Sequence, residues 1–195
     1  VVTLGVTGGL GSGKTTACKF LAAKGAYVFD ADQVAKQILA TDPEVQREVS
    51  EALGIDIFKN GVIDTAKIAR VAFANENHQR LLNDIIHPRV MEAFHQLVNE
   101  LGDQYPLIVV DAPLIFESGF DSHLDHTLLI YTKYKVRLER ALRRGNLSRD
   151  DILRRMELQM PDEEKRELAT FVIENNGSEE ELRQAVEKLY DQLAA

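Results

Sequence analysis

Residues 8 to 15 read Gly-Gly-Leu-Gly-Ser-Gly-Lys-Thr. Gly8, Gly13, Lys14 and Thr15 satisfy the spacing G-x-x-x-x-G-K-[ST], the Walker A phosphate-binding pattern. An apolar run, Val2 to Thr7, precedes it and reads as a buried strand. A helical pattern, Thr16 to Lys24, follows it. Strand, glycine-rich loop and helix in that order are the context in which the pattern carries weight. Glycines let the backbone approach phosphates with no Cβ in the way. Successive N–H groups then form an anion nest, and the helix start adds its positive dipole end. The expected ligand is a nucleotide polyphosphate. Gly11, Ser12, Gly13, Lys14, Thr15 and Thr16 are the expected phosphate-binding residues. Lys14 is placed on the β- and γ-phosphates and the Thr15 hydroxyl on Mg²⁺.

Apolar runs alternate with helical periods through the rest of the chain, the mark of an α/β protein with a mostly parallel sheet. The expected strands are 2–7, 26–29, 107–110, 127–130 and 171–173. Each is short and nearly continuous in apolar residues, as strands buried on both faces are. The stretch from Asp32 to Gly102 contains no convincing strand and is too long for a simple crossover. It reads as an inserted helical lobe, placed over the carboxyl edge of the sheet where ligands of open α/β sheets bind. Asp42-Pro43 looks like an N-cap with proline at the first helical position, and Asp64 caps a helix through Phe73. His87-Pro88 is expected to break one helix and start another, through Leu101. A second helical insertion runs from Thr132 to Ala169, with cap-like spacing at Ser148. The last helix, after Ser178, is scaffold.

The 195 residues suffice for one domain with inserted lobes. A net charge of −8 argues against nonspecific nucleic-acid binding. The single cysteine, Cys18, excludes an internal disulfide framework. With no apolar run of transmembrane length and no basic-then-apolar opening, the expectation is a cytoplasmic protein with no membrane partner, a monomer or weak homo-oligomer.

Three further groups carry chemistry. Asp30 and Asp32 close the second strand, and a kinase needs a carboxylate to orient an acceptor hydroxyl and take its proton. Asp32, beyond the strand, is the choice; the competing role for either is a helix N-cap. Asp111 ends the third strand in the Walker B manner, the position of a carboxylate that holds Mg²⁺ through water. Glu117 adds a second carboxylate after the Ala112-Pro113 turn. Seven arginines lie between Val136 and Arg155, a local basic excess in an acidic chain. Arg137, Arg140 and Arg144 fall at i, i+3, i+7 and can share a helix face. A lid of this kind clamps the transferring phosphoryl group and excludes water. Arg140 and then Arg144 are the candidates, most of the seven being solvated. His87 and Arg89 are candidates for substrate contact in the helical lobe, against ordinary capping or packing roles. The histidines lack metal-ligand spacing, so no zinc site is implied.

Several segments, in order, resemble the dephospho-CoA kinase family. They are Thr7–Thr16, Asp30-Ala31-Asp32-Gln33-Val34-Ala35, His87-Pro88, Asp111-Ala112-Pro113-Leu114-Ile115-Phe116-Glu117, Arg140–Ser148 with Gln159-Met160, and Val172–Gly177. The resemblance implies a P-loop kinase fold of three layers, with a central parallel five-stranded sheet. It implies a nucleotide core (1–31, 103–131, 170–195), a helical CoA lobe (32–102) and a helical lid (132–169). It implies ATP and Mg²⁺ as cofactors, dephospho-CoA as the partner and phosphoryl transfer to its ribose 3′-hydroxyl. By the same resemblance Asp32 aligns the acceptor, Lys14 and Arg140 stabilise the transferring group, Arg144, Asn175 and Gly177 serve the nucleotide, and His87, Arg89 and Leu114 serve the acceptor. One departure stands out: the family has Ala-Asp before its late strand, and this chain has Ala169-Thr170. Another small-metabolite or nucleoside-monophosphate kinase would share the loop and the arginines without requiring the Asp30–Asp32 or Asp111–Glu117 runs. A GTPase-like switch would need an N-K-x-D motif, which the chain lacks.

Overall fold

The structure is a computed structural model that describes residues 1–195. It divides into two compact units, Val1–Asp30 with Gln96–Ala195, and Ala31–His95. No helix is long and apolar enough to cross a membrane.

In chain order the elements are β1 (Val2–Thr7), α1 (Lys14–Lys24), β2 (Tyr27–Asp30), α2 (Ala31–Thr41), α3 (Pro43–Leu53), β3 (Phe58–Lys59), β4 (Val62–Ile63), α4 (Thr65–Ala72) and α5 (Glu76–Leu101). They continue as β5 (Leu107–Asp111), a 3₁₀ turn (Phe120–His123), β6 (His126–Tyr131), α6 (Tyr134–Arg144), α7 (Arg149–Leu158), α8 (Asp162–Leu168), β7 (Phe171–Glu174) and α9 (Glu179–Leu193).

The first unit is built on the expected five-stranded sheet, in the order β2-β5-β1-β6-β7, with every neighbouring pair parallel. Central strands are apolar on both faces because both are covered: all five residues of β5 are buried. Leu4, Val6, Leu107, Val109, Leu128 and Ile130 share one core with Ala17, Cys18 and Leu21 of α1 and with Leu182, Val186 and Leu189 of α9. Parallel register brings strand ends together, so Asp30 lies opposite Asp111 across β2 and β5. The helices α6 and α7 form a small core of their own, Ala141, Ile152 and Met156, against which Leu10 of the phosphate loop packs.

Thr170, the departure before the late strand, is hydrogen-bonded to β6. Its Oγ1 accepts the Thr127 N–H at 3.0 Å, while Thr127 Oγ1 accepts the Thr170 N–H at 3.0 Å. A hydroxyl there provides the acceptor that ties the start of β7 to β6.

The second unit is helical, as the sequence suggests, with two corrections. Asn60 (φ 53) and Gly61 (φ 78) both adopt positive φ and close a two-residue hairpin between β3 and β4. Asn-Gly is the strongest short-range hairpin signal, but strands of two residues carry no visible periodicity. Pro88 also does not break the helix: α5 runs unbroken from Glu76 to Leu101. Proline removes the N–H owed to the Asp84 carbonyl and crowds the ladder there. The next carbonyl, Ile85 O, accepts a bond from Arg89 Nη1 at 2.8 Å. Burial of Ile86, Val90 and Phe94 along one stripe holds the helix through the defect. The caps behave as expected. Asp42 accepts from the Glu44 and Val45 N–H groups ahead of Pro43, Asp64 from Lys67, Ser148 from Asp151, and Ser178 from Glu181.

Candidate active site

The loop from Gly8 to Gly13 joins β1 to α1 and is buried apart from its partly exposed Leu10 and Gly13. Gly11 (φ 82) and Gly13 (φ 95) adopt left-handed backbone that side chains resist, which turns their N–H groups inward. The Ser12 N–H closes the turn onto Gly9 O at 3.0 Å. Close approach from α6 sets the other glycines. A methyl at Gly9 would run into Arg137 Nη1, and one at Gly11 into the Arg137 carbonyl. Ser12 Oγ is buried with no hydrogen-bond partner. An orphaned hydroxyl inside an N–H nest is what a phosphate oxygen would satisfy.

Lys14 pairs with Asp111 at the carboxyl end of β5. Cys18, one helical turn along, lies against this pair. Burial first, and then the Asp111 charge, push its thiol well above the ordinary thiol value, so it is an inert core residue. Thr15 is exposed at the start of α1. A hydroxyl and a carboxylate are the hard oxygen donors that Mg²⁺ takes one or two at a time, with substrate phosphates completing the shell.

From the far side, Asn175 and Thr132 tie the end of the sheet to the loop. Asn175 Nδ2 donates to Ser12 O at 2.8 Å. Thr132 Oγ1 lies 3.1 Å from Ser12 O and 2.7 Å from Asn175 O, and donates between them. Arg140 Nη1 donates to Asn175 O at 2.9 Å. Gly177 is exposed in the turn before α9, and Leu114 is half-buried in the turn after Asp111.

The three arginines expected on one face of α6 separate by environment. Arg137 is buried, Arg140 half-buried and Arg144 exposed. Arg137 is one of three charged groups, with Asp162 and Lys165, whose burial was not read from the sequence. Its Nε lies 3.7 Å from Asp162 Oδ2. Lys165, wholly buried, lies 3.8 Å from Asp162 Oδ1 and 3.6 Å from Glu117 Oε2, and donates to Pro113 O at 3.1 Å. Asp162-Glu163-Glu164-Lys165 reads as the solvated first turn of a polar helix, and no periodicity marks which of its charges turns inward.

In the second unit, Asp32 is exposed in the first turn of α2, inside the helix rather than capping it. Asp30 instead ends β2 in the first unit. Arg89 links α5 to α3 through Glu48 at 3.0 Å, with Glu44 at 3.9 Å. His87 is half-buried, and burial lowers its pKa against the opposing pull of Asp84.

A family model for dephospho-CoA kinase matches residues 2–181, a span that takes in both units. The chain belongs to the dephospho-CoA kinase family. A dephospho-CoA kinase of Bacteroides fragilis is 37% identical over 186 residues, 95% of this chain and 90% of its own length. The solved structure of TT1252 from Thermus thermophilus is 32% identical with a TM-score of 0.81, covering 98% of this chain and 97% of that one. The dephospho-CoA kinase from Campylobacter jejuni is 26% identical with a TM-score of 0.71, covering 98% and 96%. With the family comes the enzyme class, a P-loop kinase, and the parallel-sheet fold agrees with it.

Proposed function

We propose that the protein transfers the γ-phosphoryl group of ATP to the ribose 3′-hydroxyl of dephospho-CoA, giving coenzyme A and ADP, the last step of CoA biosynthesis. The observation that carries the reading is the extent of the family match. The phosphate loop names only the donor, whereas residues 2–181 also include the whole helical unit.

On this reading Gly11, Ser12, Gly13, Lys14, Thr15 and Thr16 hold the triphosphate. The orphaned Ser12 Oγ supports that role. Lys14, kept in place by Asp111, takes the β- and γ-oxygens and stabilises charge on the transferring group. Arg140 and Arg144 add cationic donors from α6, and Asn175 and Gly177 form the nucleotide's base-side turn. Thr15 and Asp111 would hold Mg²⁺, which supplies charge neutralisation at the β- and γ-phosphates. Asp32 orients the acceptor 3′-hydroxyl and takes its proton. His87, Arg89 and Leu114 bind the acceptor. The enzyme needs no nucleic acid or membrane and works in the cytoplasm as a monomer or weak homo-oligomer.

The test is an acceptor panel of dephospho-CoA, AMP, adenosine and shikimate, each with ATP and Mg²⁺. ADP should form with dephospho-CoA, and ³¹P NMR of the product should show a 3′-phosphomonoester. ADP release with another acceptor and none with dephospho-CoA would sink the reading.

A further inference from the structure

The phosphate loop is gripped by a cluster of four charged side chains, three of them buried, that none of the roles above uses. Asp162 is 5% exposed, Arg137 7% and Lys165 0%. Asp162 Oδ2 accepts the Gly9 N–H at 3.0 Å, a buried bond spanning 153 residues of sequence. A carboxylate so buried is costly unless neutralised and hydrogen-bonded. Here Arg137 lies on Oδ2 at 3.7 Å and Lys165 on Oδ1 at 3.8 Å. Glu117 balances the second cation, and its Oε2 also accepts the Met160 N–H at 3.0 Å. Two cations and two carboxylates therefore close the set.

The placement of these bonds is what suggests a function. Asp162 and Lys165 stand three residues apart on one turn of α8. Asp162 bonds the loop after β1 at Gly9. Lys165 bonds the loop after β5 at Pro113 O, where Thr7 Oγ1 also donates at 3.1 Å. The first of those loops leads into Lys14 at the start of α1, and the second follows Asp111. Arg137 meanwhile fills the space a side chain at Gly9 would need. Leu10, the next residue, packs in the core of α6 and α7. A loop made of Gly8, Gly9, Gly11 and Gly13 has little side-chain packing of its own, and its backbone freedom must be removed from outside.

We propose that Asp162, backed by Arg137 and Lys165, is a positioning residue that fixes the mouth of the phosphate loop through the Gly9 N–H and so presets the nest for the nucleotide's phosphates. The proposal rests on the kinase reading only in taking a nucleoside polyphosphate as the loop's ligand. It touches no reacting atom. Its effect is on the donor side, through pre-organisation of the N–H groups.

The test compares Asp162→Ala with Asp162→Asn, whose side-chain oxygen still accepts the Gly9 N–H. The probe is methylanthraniloyl-ADP with Mg²⁺, followed by fluorescence. Asp162→Ala should weaken binding about tenfold or more, and Asp162→Asn should stay within about threefold of wild type. In turnover, KM for ATP should rise with Asp162→Ala while KM for dephospho-CoA stays within about twofold. A merely structural role would move both constants together and would not be rescued by asparagine. Binding by Asp162→Ala within threefold of wild type overturns the proposal, as does an Asp162→Asn as weak as the alanine variant. Should Asp162→Ala fail to fold, amide exchange in the wild-type protein without nucleotide decides. The Gly9 N–H should be protected about 100-fold or more, and exchange at the rate of an exposed amide overturns the proposal. Binding of the ADP probe needs no acceptor. A wild-type protein that binds it but leaves dephospho-CoA untouched breaks the kinase reading, and the ratio of the two variants still judges this one.

Discussion

The two units bury different things. In the first, Thr3, Thr7, Ser12, Asp111, Thr127, Thr132, Arg137, Asp162, Lys165 and Asn175 are all buried, and each polar or charged side chain buried in the protein belongs to this unit. In the second, every residue buried as a whole is apolar: Leu39, Val45, Val49, Leu53, Ile57, Ile68, Ala72, Ile86, Val90 and Phe94, with Ala31 at its first position. Buried polar groups are expensive and are tolerated where their geometry is specified by partners. Unit one therefore looks built to hold a loop in one conformation. The helical unit is held by non-directional burial, with its polar candidates exposed or half-buried on the outside of a plain core.

The largest effects should separate the two kinds of core. Phe94→Ala removes a ring that is 1% exposed and should cost about 3–5 kcal/mol of stability. Lys165→Met keeps the length and removes the charge, leaving Asp162 and Glu117 short of a cation, and should cost about 3 kcal/mol or more. Denaturant melts of each, alone and with Asp162→Asn, sharpen the comparison. The Lys165→Met loss should shrink in the Asp162→Asn background, while the Phe94→Ala loss stays the same in both. Equal behaviour of the two would break it.

Next comes Lys14→Met, which on the proposed reading strips the transferring phosphoryl of its loop cation and should lower kcat about a thousandfold. Asp32→Asn should lower kcat about a hundredfold or more with little change in ATP affinity, measured by initial rates and nucleotide titration. If Asp32→Asn weakened ATP binding and left kcat unchanged, the proposed split between a donor unit and an acceptor unit would fail. Normal turnover by Asp32→Asn would remove its role altogether.

Legibility in the sequence follows the same division. The loop at Gly8–Thr15, the strands around it and the caps at Asp42, Asp64, Ser148 and Ser178 were readable because each depends on local backbone chemistry. Long-range charge burial was not. Arg137 and Lys165 look like any other cations of a polar helix, and only packing against Gly9 and Pro113 turns them inward. The unbroken α5 shows the converse: Pro88 carries a strong local signal, and burial of Ile86, Val90 and Phe94 overrides it. The hairpin at Asn60-Gly61 had the right turn residues but strands too short to announce themselves.

The smallest expected effect concerns His87, which stands in the apolar-cored unit. Burial favours its neutral form and lowers its pKa from the ordinary 6.5, while the nearby Asp84 opposes that shift only in part. The unfolded chain therefore binds this proton at a higher pH than the folded chain does. Stability from the neutral imidazole is present above about pH 6.5, where neither state is protonated, and is lost as pH falls through 6.5 toward the folded value. Urea melts at pH 7.5 and at pH 5.5, both chosen values about one unit either side of the titration, should show a larger drop for wild type than for His87→Gln. Glutamine keeps a polar side chain of similar reach and cannot take the proton. Equal pH slopes would mean that His87 opens to water in the folded protein. The helical unit would then be looser around Pro88 than the packing of Ile86 and Val90 implies.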